Sequence, residues 1–251
     1  MDEFRVDAHV KVLDEQVAER AKRRGLDAIV YAPHFKRLPD IEARAERFTD
    51  DELLVVPARE VFTGDWRNRK HVLAVGLSEP VPDFISLEGA LAEFDRQDAA
   101  VLAPHPEFAT VSMEAHDLRA HADRLHGIEL YNPKHWQHHN ERARELQREF
   151  DLPPFGSSYA HLPGTVGEVW TAFKERFDTV AELTEAFREG APRKVFHRDG
   201  IEHRLRCGAE FLHLFYENTW EKIDRLFLSG TEPTHPDHIA YEGRFDDVSV
   251  Y

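Results

Sequence analysis

The stretch Gly25-Leu26-Asp27-Ala28-Ile29-Val30-Tyr31-Ala32-Pro33-His34 sets a helix-stopping glycine, a short apolar run and a histidine in that order. Before it, Val17 to Arg24 carries apolar positions three and four apart, the spacing of a helix that closes at Gly25. Ala28 to Tyr31 is short and apolar throughout, which reads as a parallel strand covered on both faces. Runs of the same kind occur at Phe4 to Val6, Leu53 to Val56, Val72 to Val75, Ala99 to Ala103, Ile128 to Tyr131 and Pro154 to Ser157. Helices separate several of them, whereas the link from Glu60 to His71 reads as a hairpin. The pattern predicts an α/β fold, a distorted seven-stranded, TIM-like barrel over residues 1–190.

Residues 191–200 read as a boundary loop. From Ile201 to Phe227 there is no proline, and Ile201, Leu205, Leu212, Tyr216, Ile223 and Phe227 keep steps near three and four. That predicts one long amphipathic helix in a C-terminal extension over 191–251, its stripe lying on the barrel. The rest of the stripe would be covered by the tail, through Ile239, Tyr241, Phe245, Val248 and Tyr251, or by a second copy of the chain.

Composition narrows the setting. The chain has 251 residues, 41 % hydrophobic and 31 % charged, which excludes a disordered or fibrous protein. Acids at the N-terminus and the lack of an apolar run near ~18 residues predict a cytoplasmic chain outside the membrane. Forty-seven acids against 32 bases leave a formal charge of -15, which argues against long nucleic acid as a partner. The charge fits either a salt-rich cytoplasm, where screening acts over ~3 Å at 1 M, or an ordinary acidic protein. With one cysteine, Cys207, neither an internal disulfide nor a cysteine zinc cluster is available, so any metal site uses His, Asp and Glu.

Sixteen histidines give that set. His9, His34, His105 and His161 stand at or just after predicted strand ends, as does Glu60, and this is the barrel rim where active sites are built. One such histidine reads as a core or capping residue. Several imidazoles converging with a carboxylate form a ligand set for zinc, manganese or iron.

Taken in order, these segments resemble the polymerase and histidinol phosphatase (PHP) domain of metal-dependent phosphoesterases. Val6-Asp7-Ala8-His9-Val10-Lys11 is similar to the family's opening D-x-H-x-H, and Gly25 to His34 to its G-L-D-x-(apolar)-D-H. Val56-Pro57-Ala58-Arg59-Glu60 resembles the strand with the bridging Glu, His71 to Gly76 the H-x-L-x-x-G, and Ala103-Pro104-His105-Pro106 the H-P turn. Ile128 to Asn132 and Ser157-Ser158-Tyr159-Ala160-His161 resemble I-E-V-x-N and G-S-D-A-H. The resemblance spans about residues 1–190 and implies hydrolysis of phosphate esters at a site for up to three metals, with His9, His34, Glu60, His71, His105 and His161 as metal residues.

Three positions depart from it: Lys11 replaces a His, Pro33 an Asp and Tyr159 an Asp. Lys11 and Tyr159 would both have served the first metal, so that site is expected to be empty, with Lys11 pairing Glu60 as a substitute charge. Glu60, His71 and His105 keep the second site whole, giving one or two divalent ions rather than three. Asp14 or Glu15 would complete the third, or merely open a helix. Glu60, Lys11 and Arg59 are the expected catalytic residues, with Arg67, Arg69 and Lys70 as further phosphate grips or a solvated hairpin. His135, His138 and His139 read as exposed, and Cys207 as core. The expectation is a metal-dependent phosphoesterase acting on a small phosphorylated substrate; the alternative is a non-catalytic binding or assembly module.

Overall fold

The computed structural model describes residues 3–64, 68–108, 111–216, 233–236 and 238–241. Its first half sets β1 (Phe4–Val10), α1 (Glu15–Arg23), β2 (Ala28–Tyr31), α2 (Leu38–Phe48), β3 (Leu54–Thr63), β4 (Lys70–Val75), α3 (Leu87–Arg96) and β5 (Ala100–Ala103) in turn. There follow α4 (Ala115–His121), β6 (Gly127–Tyr131), α5 (Gln137–Phe150), β7 (Pro154–Gly156), β8 (Val169–Phe173), α6 (Val180–Arg188), β9 (Arg193–His197) and α7 (Ile201–Tyr216).

One sheet runs β7-β6-β5-β4-β3-β2-β1-β8-β9 and curls into a nearly closed barrel. The α/β class and seven expected strands are present, but the count is nine. The two additions, β8 and β9, pair antiparallel with each other, and β8 also pairs antiparallel with β1. Within the expected boundary loop, residues 193–197 form an edge strand. Arg193, Lys194 and His197 gave this segment a loop's composition because an edge strand faces solvent on one side, and β9 is only half-buried beyond Arg193. The hairpin between Glu60 and His71 is as expected, with β3 and β4 antiparallel.

The barrel interior is filled by every second residue of its strands. Phe4, Val6 and Ala8 of β1, Ala28 and Val30 of β2, Val56 and Ala58 of β3, and Leu73 and Val75 of β4 share one buried cluster. Along β2, β3 and β4 the same alternation reaches His34, Glu60 and His71. Their place at the barrel mouth therefore follows from strand parity. His9 has the opposite parity and enters through a register shift in β1 between Asp7 and Val10. Asp7 fastens that shift by accepting from Ser158 N at 2.8 Å and Gly167 N at 2.9 Å.

At the seam, β7 meets β8 without a ladder. The Thr171 hydroxyl lies 3.0 Å from Gly156 N and 3.1 Å from Gly156 O, and an isolated bridge joins Val10 to Ala160. Gly156 must be glycine, because a Cβ there would sit 2.4 Å from Val195 Cγ1.

Helix α7 reverses the expected amphipathicity. Ile201, Leu205 and Leu212 are 75 %, 69 % and 71 % exposed, whereas His203 and Glu210 are buried. The cause is the surface beneath, which presents charged partners to this face. The stretch of the expected helix beyond Tyr216 lies outside the described residues, as do Phe245, Val248 and Tyr251. The described part of the tail does not dock on the helix. Thr234 O accepts from Asp83 N at 2.8 Å and Tyr241 is buried beside Arg59. No described helix is long and apolar enough to cross a membrane.

We expect Gly156→Val to destabilise the fold by about 1–3 kcal/mol through overpacking at the seam. A thermal melt indistinguishable from wild type would show that β7 yields freely there.

Candidate metal centre

Glu60, buried on β3, organises the mouth of the barrel. Its two oxygens face different company. Oε1 lies 3.0 Å from His105 Nε2 and 3.3 Å from His71 Nδ1. Oε2 lies 2.5 Å from Lys11 Nζ, 3.2 Å from His34 Nδ1 and 3.8 Å from His9 Nε2. Five of the six expected metal residues therefore meet at one carboxylate. The sixth, His161, lies beside His34, Nε2 to Nε2 at 3.4 Å.

Lys11 stands where the resemblance placed a substitute charge, and its ammonium also donates to Ala32 O at 2.6 Å. Burial alone would raise the Glu60 carboxyl. The Lys11 ammonium outweighs it and holds the group well below the usual carboxylate range. Burial, then the nearby Lys11, pushes His9 and His34 well below the ordinary imidazole value, and burial pushes His71 down to about 4. These imidazoles are neutral at pH 7, with lone pairs available to a cation.

The tautomer of His105 sharpens the point. Ser112 Oγ donates its one proton to Phe108 O, so it accepts from His105 Nδ1–H at 2.9 Å. In a neutral ring that leaves His105 Nε2 as a lone pair aimed at Glu60 Oε1, and two acceptors at 3.0 Å need a cation or a shared proton between them. His71 Nε2 is buried without a hydrogen-bond partner as well, and its Nδ1 faces Glu60 Oε1 at 3.3 Å. Ligand atoms of Glu60, His71 and His105 all lie within 4.8 Å of one another. Three converging donors of this kind fit a divalent ion with an open position.

His105 and Tyr159 both sit at positive φ, 34° and 45°, a strained backbone for residues with side chains. The Tyr159 ring fills the first-metal region, 4.7 Å from the His9 ring and 4.9 Å from that of His161. The third region holds a feature that motif reading missed. Lys134, 1 % exposed, contacts His161 Nδ1, lies 4.2 Å from the Tyr159 ring centroid and pairs with Glu210 Oε2 at 3.3 Å. Glu210 arrives from α7, its other oxygen accepting from the amides of His161 and Leu162 at 3.0 and 2.9 Å. Lys134 follows the end of β6, so the strand-end argument that found His34 would have found it. Nothing near Glu210 in sequence signals its role.

Other expected residues lie elsewhere. Arg59, next to Glu60, points the opposite way and is buried, donating to Asp83 Oδ2 at 2.9 Å and Lys36 O at 2.5 Å. It is a structural ion pair, not a catalytic group. Lys70 pairs with Asp117 at 3.0 Å and Arg69 lies over the Phe84 ring, while Arg67 is outside the described residues. Asp14 caps α1 by accepting from Val17 N, and Glu15 is exposed, so neither ligates. His135 is buried against Phe108, contrary to the exposed reading, while His138 is exposed. Cys207 is half-buried with its thiol pushed up to about 11 by burial.

A cleft of about 610 Å³ opens beside the centre, lined by Lys11, His34 and His161 and, further out, by Lys36, Arg44 and His213.

Residues 137–192 match a family described as PHP-associated, and the fold and its histidine-lined mouth agree with it. That matched stretch runs from α5 through α6. PsfC from Pseudomonas syringae PB-5123 shares the fold with a TM-score of 0.63 at 18 % identity, over 85 % of this chain and 100 % of its own. The lesion-specific endonuclease PfuEndoQ of Pyrococcus furiosus gives 0.56 at 16 %, over 77 % and 58 %. A Bifidobacterium adolescentis protein described as a candidate metal-dependent phosphoesterase gives 0.51 at 14 %, over 63 % and 88 %. At these identities the likeness is one of fold. No curated protein matches the chain significantly.

Ser112→Ala, which frees the His105 tautomer, should weaken divalent-metal affinity by about 10–100-fold. Titration calorimetry against the wild type checks this, and unchanged affinity would remove Ser112 from the site. Acid should also unfold the metal-free chain early. His9, His34 and His71 are lowered in the fold, so between pH 6.5 and about 4 the unfolded chain binds more protons and stability falls with pH. Melting temperatures that are flat from pH 7 to pH 5 would contradict this.

Proposed function

We propose that this chain is a metal-dependent phosphoesterase hydrolysing a phosphate mono- or diester of a small molecule or nucleotide. The observation that supports it most is the convergence of Glu60, His71 and His105, whose ligand atoms lie within 4.8 Å of one another, with His105 Nε2 3.0 Å from Glu60 Oε1. Glu60, His71 and His105 would hold one zinc, manganese or iron ion on the Oε1 side. On the Oε2 side the Lys11 ammonium already supplies a charge. When bound, the ion supplies Lewis acidity, polarising a phosphoryl oxygen and acidifying water.

The chain's own residues account for binding. A phosphate in the cleft meets the Lys11 ammonium and two neutral imidazoles, His34 and His161, with Lys36 and Arg44 further out. These cations oppose the protein's net charge and draw an anionic ligand toward the mouth. The cleft suits a small ligand better than a long polymer.

A second reading has its own support. Lys134 and Glu210 fill the third region with an ion pair and Tyr159 occupies the first, as in a barrel retained for binding or assembly.

Hydrolysis of an aryl phosphate with added manganese or zinc separates the two. We expect metal-stimulated turnover that falls in Glu60→Gln and His105→Ala by more than the ~10–100-fold cost of losing a supporting partner. Metal binding without turnover on mono- or diester substrates would favour the binding module. Equal, near-zero metal content in wild type and His105→Ala would sink both the centre and the enzyme.

A further inference from the structure

On the flank of the barrel, away from Glu60, positive charge gathers around one carboxylate. Glu168, buried just before β8, accepts through Oε1 from Arg206 Nη1 at 2.9 Å, Arg24 Nη2 at 3.1 Å and Arg20 Nη2 at 3.3 Å. Its Oε2 lies 2.9 Å from His203 Nδ1. A fourth guanidinium, Arg198, donates only to neutral acceptors, Nε to Gly167 O at 3.1 Å and Nη2 to Arg24 O at 3.4 Å. Three guanidiniums thus share one buried carboxylate, and a fourth stands beside them. Two further acids stand at the rim and are exposed: Glu202 pairs with Arg206 at 3.1 Å, and Asp199 lies 3.5 Å from His197.

This is the reverse of the protein as a whole, which carries a formal charge of -15. A local excess of positive charge has a measurable signature. Burial, with Arg24 and Arg206 alongside, brings the Arg20 guanidinium down to about 10. The arginines do not close over the carboxylate. A cavity of about 430 Å³ opens among Arg24, Arg198 and Arg206, walled by Trp170 and floored by His197 and His203. Arg198 lies over the Trp170 ring at 5.5 Å, which holds its planar fork in place. Among the described residues, Nε and Nη1 of Arg24 and Nη1 of Arg198 have no protein acceptor. They are donors of the type that binds tetrahedral oxyanions in pairs.

We propose that this cavity is a binding site for a phosphate-type oxyanion, held by Arg24, Arg198 and Arg206 and separate from the barrel mouth. The proposal does not depend on the hydrolase reading, since it uses none of the residues around Glu60. It has a structural consequence for them all the same. Arg206 and Glu210 are four residues apart on α7, about one turn, so an oxyanion on Arg206 fastens the helix that carries Glu210 to Lys134.

The test is calorimetric titration of inorganic phosphate into the full chain, stripped of metal and carrying Lys36→Gln and Arg44→Gln so that the mouth loses its outer cations. We expect saturable binding at one site that potassium chloride of equal ionic strength does not reproduce. Arg24→Gln with Arg198→Gln should weaken it by about ten-fold or more, the worth of one charge-assisted contact. No saturable heat, or equal affinity in the double variant, would overturn the site. Should that variant fail to fold, imidazole NMR signals of the otherwise unaltered chain decide. Phosphate-dependent shifts at His197 and His203 support the site, and shifts confined to His34 and His161 overturn it.

Discussion

Everything at the mouth of this barrel answers to one buried carboxylate. A charge taken out of water must be met by opposite charge or by hydrogen-bond donors, or it protonates. Glu60 is met on one oxygen by an ammonium and on the other by the imidazoles of His105 and His71, the latter kept neutral by its own burial. Neutral imidazoles do not compensate a carboxylate. The Oε1 side therefore has ligands without a cation, while the Oε2 side has its cation built into the chain.

That division extends across the site. Where the resemblance implies three metals around a cluster of acids and imidazoles, this protein has Lys11 in one region and Lys134 in another, with Tyr159 between the two ammoniums. The family's arrangement has been traded in part for fixed side-chain charge. A lysine cannot be removed by a chelator or exchanged for a different ion, and its ammonium offers protons where a metal offers empty orbitals.

Strand parity made much of the site legible in the sequence. Histidines and a glutamate two and four residues beyond interior apolar positions had to continue the interior face, and His34, Glu60 and His71 do. The same rule, applied to Arg59, would have turned it away from Glu60, as the Asp83 pair confirms. His9 reached the mouth only through a shift in β1, which no periodicity announces. β8 and β9 were missed because an edge strand with a wet face has the composition of a loop. α7 misled most. Its apolar residues were assumed to face the protein, but Glu168, Lys134 and His161 gave the polar face stronger partners. Such partners, 35 residues away in the chain or more, leave no local trace.

The seam sets how this barrel breathes. Other neighbouring strands are zipped along their length by backbone ladders, but β7 is fastened to its far neighbours by the Thr171 hydroxyl and the Arg193 guanidinium, with an isolated bridge at Ala160 just beyond it. Local opening takes the route with the fewest backbone bonds to break. The chain leaving β7 at that point leads straight into Tyr159 and His161, so the weakest joint in the wall adjoins one jaw of the cleft. The spacing between His161 and His34 is then the least rigid dimension of the mouth, and ligands of different girth would be accommodated there, while the three residues on β3, β4 and the β5 end stay fixed.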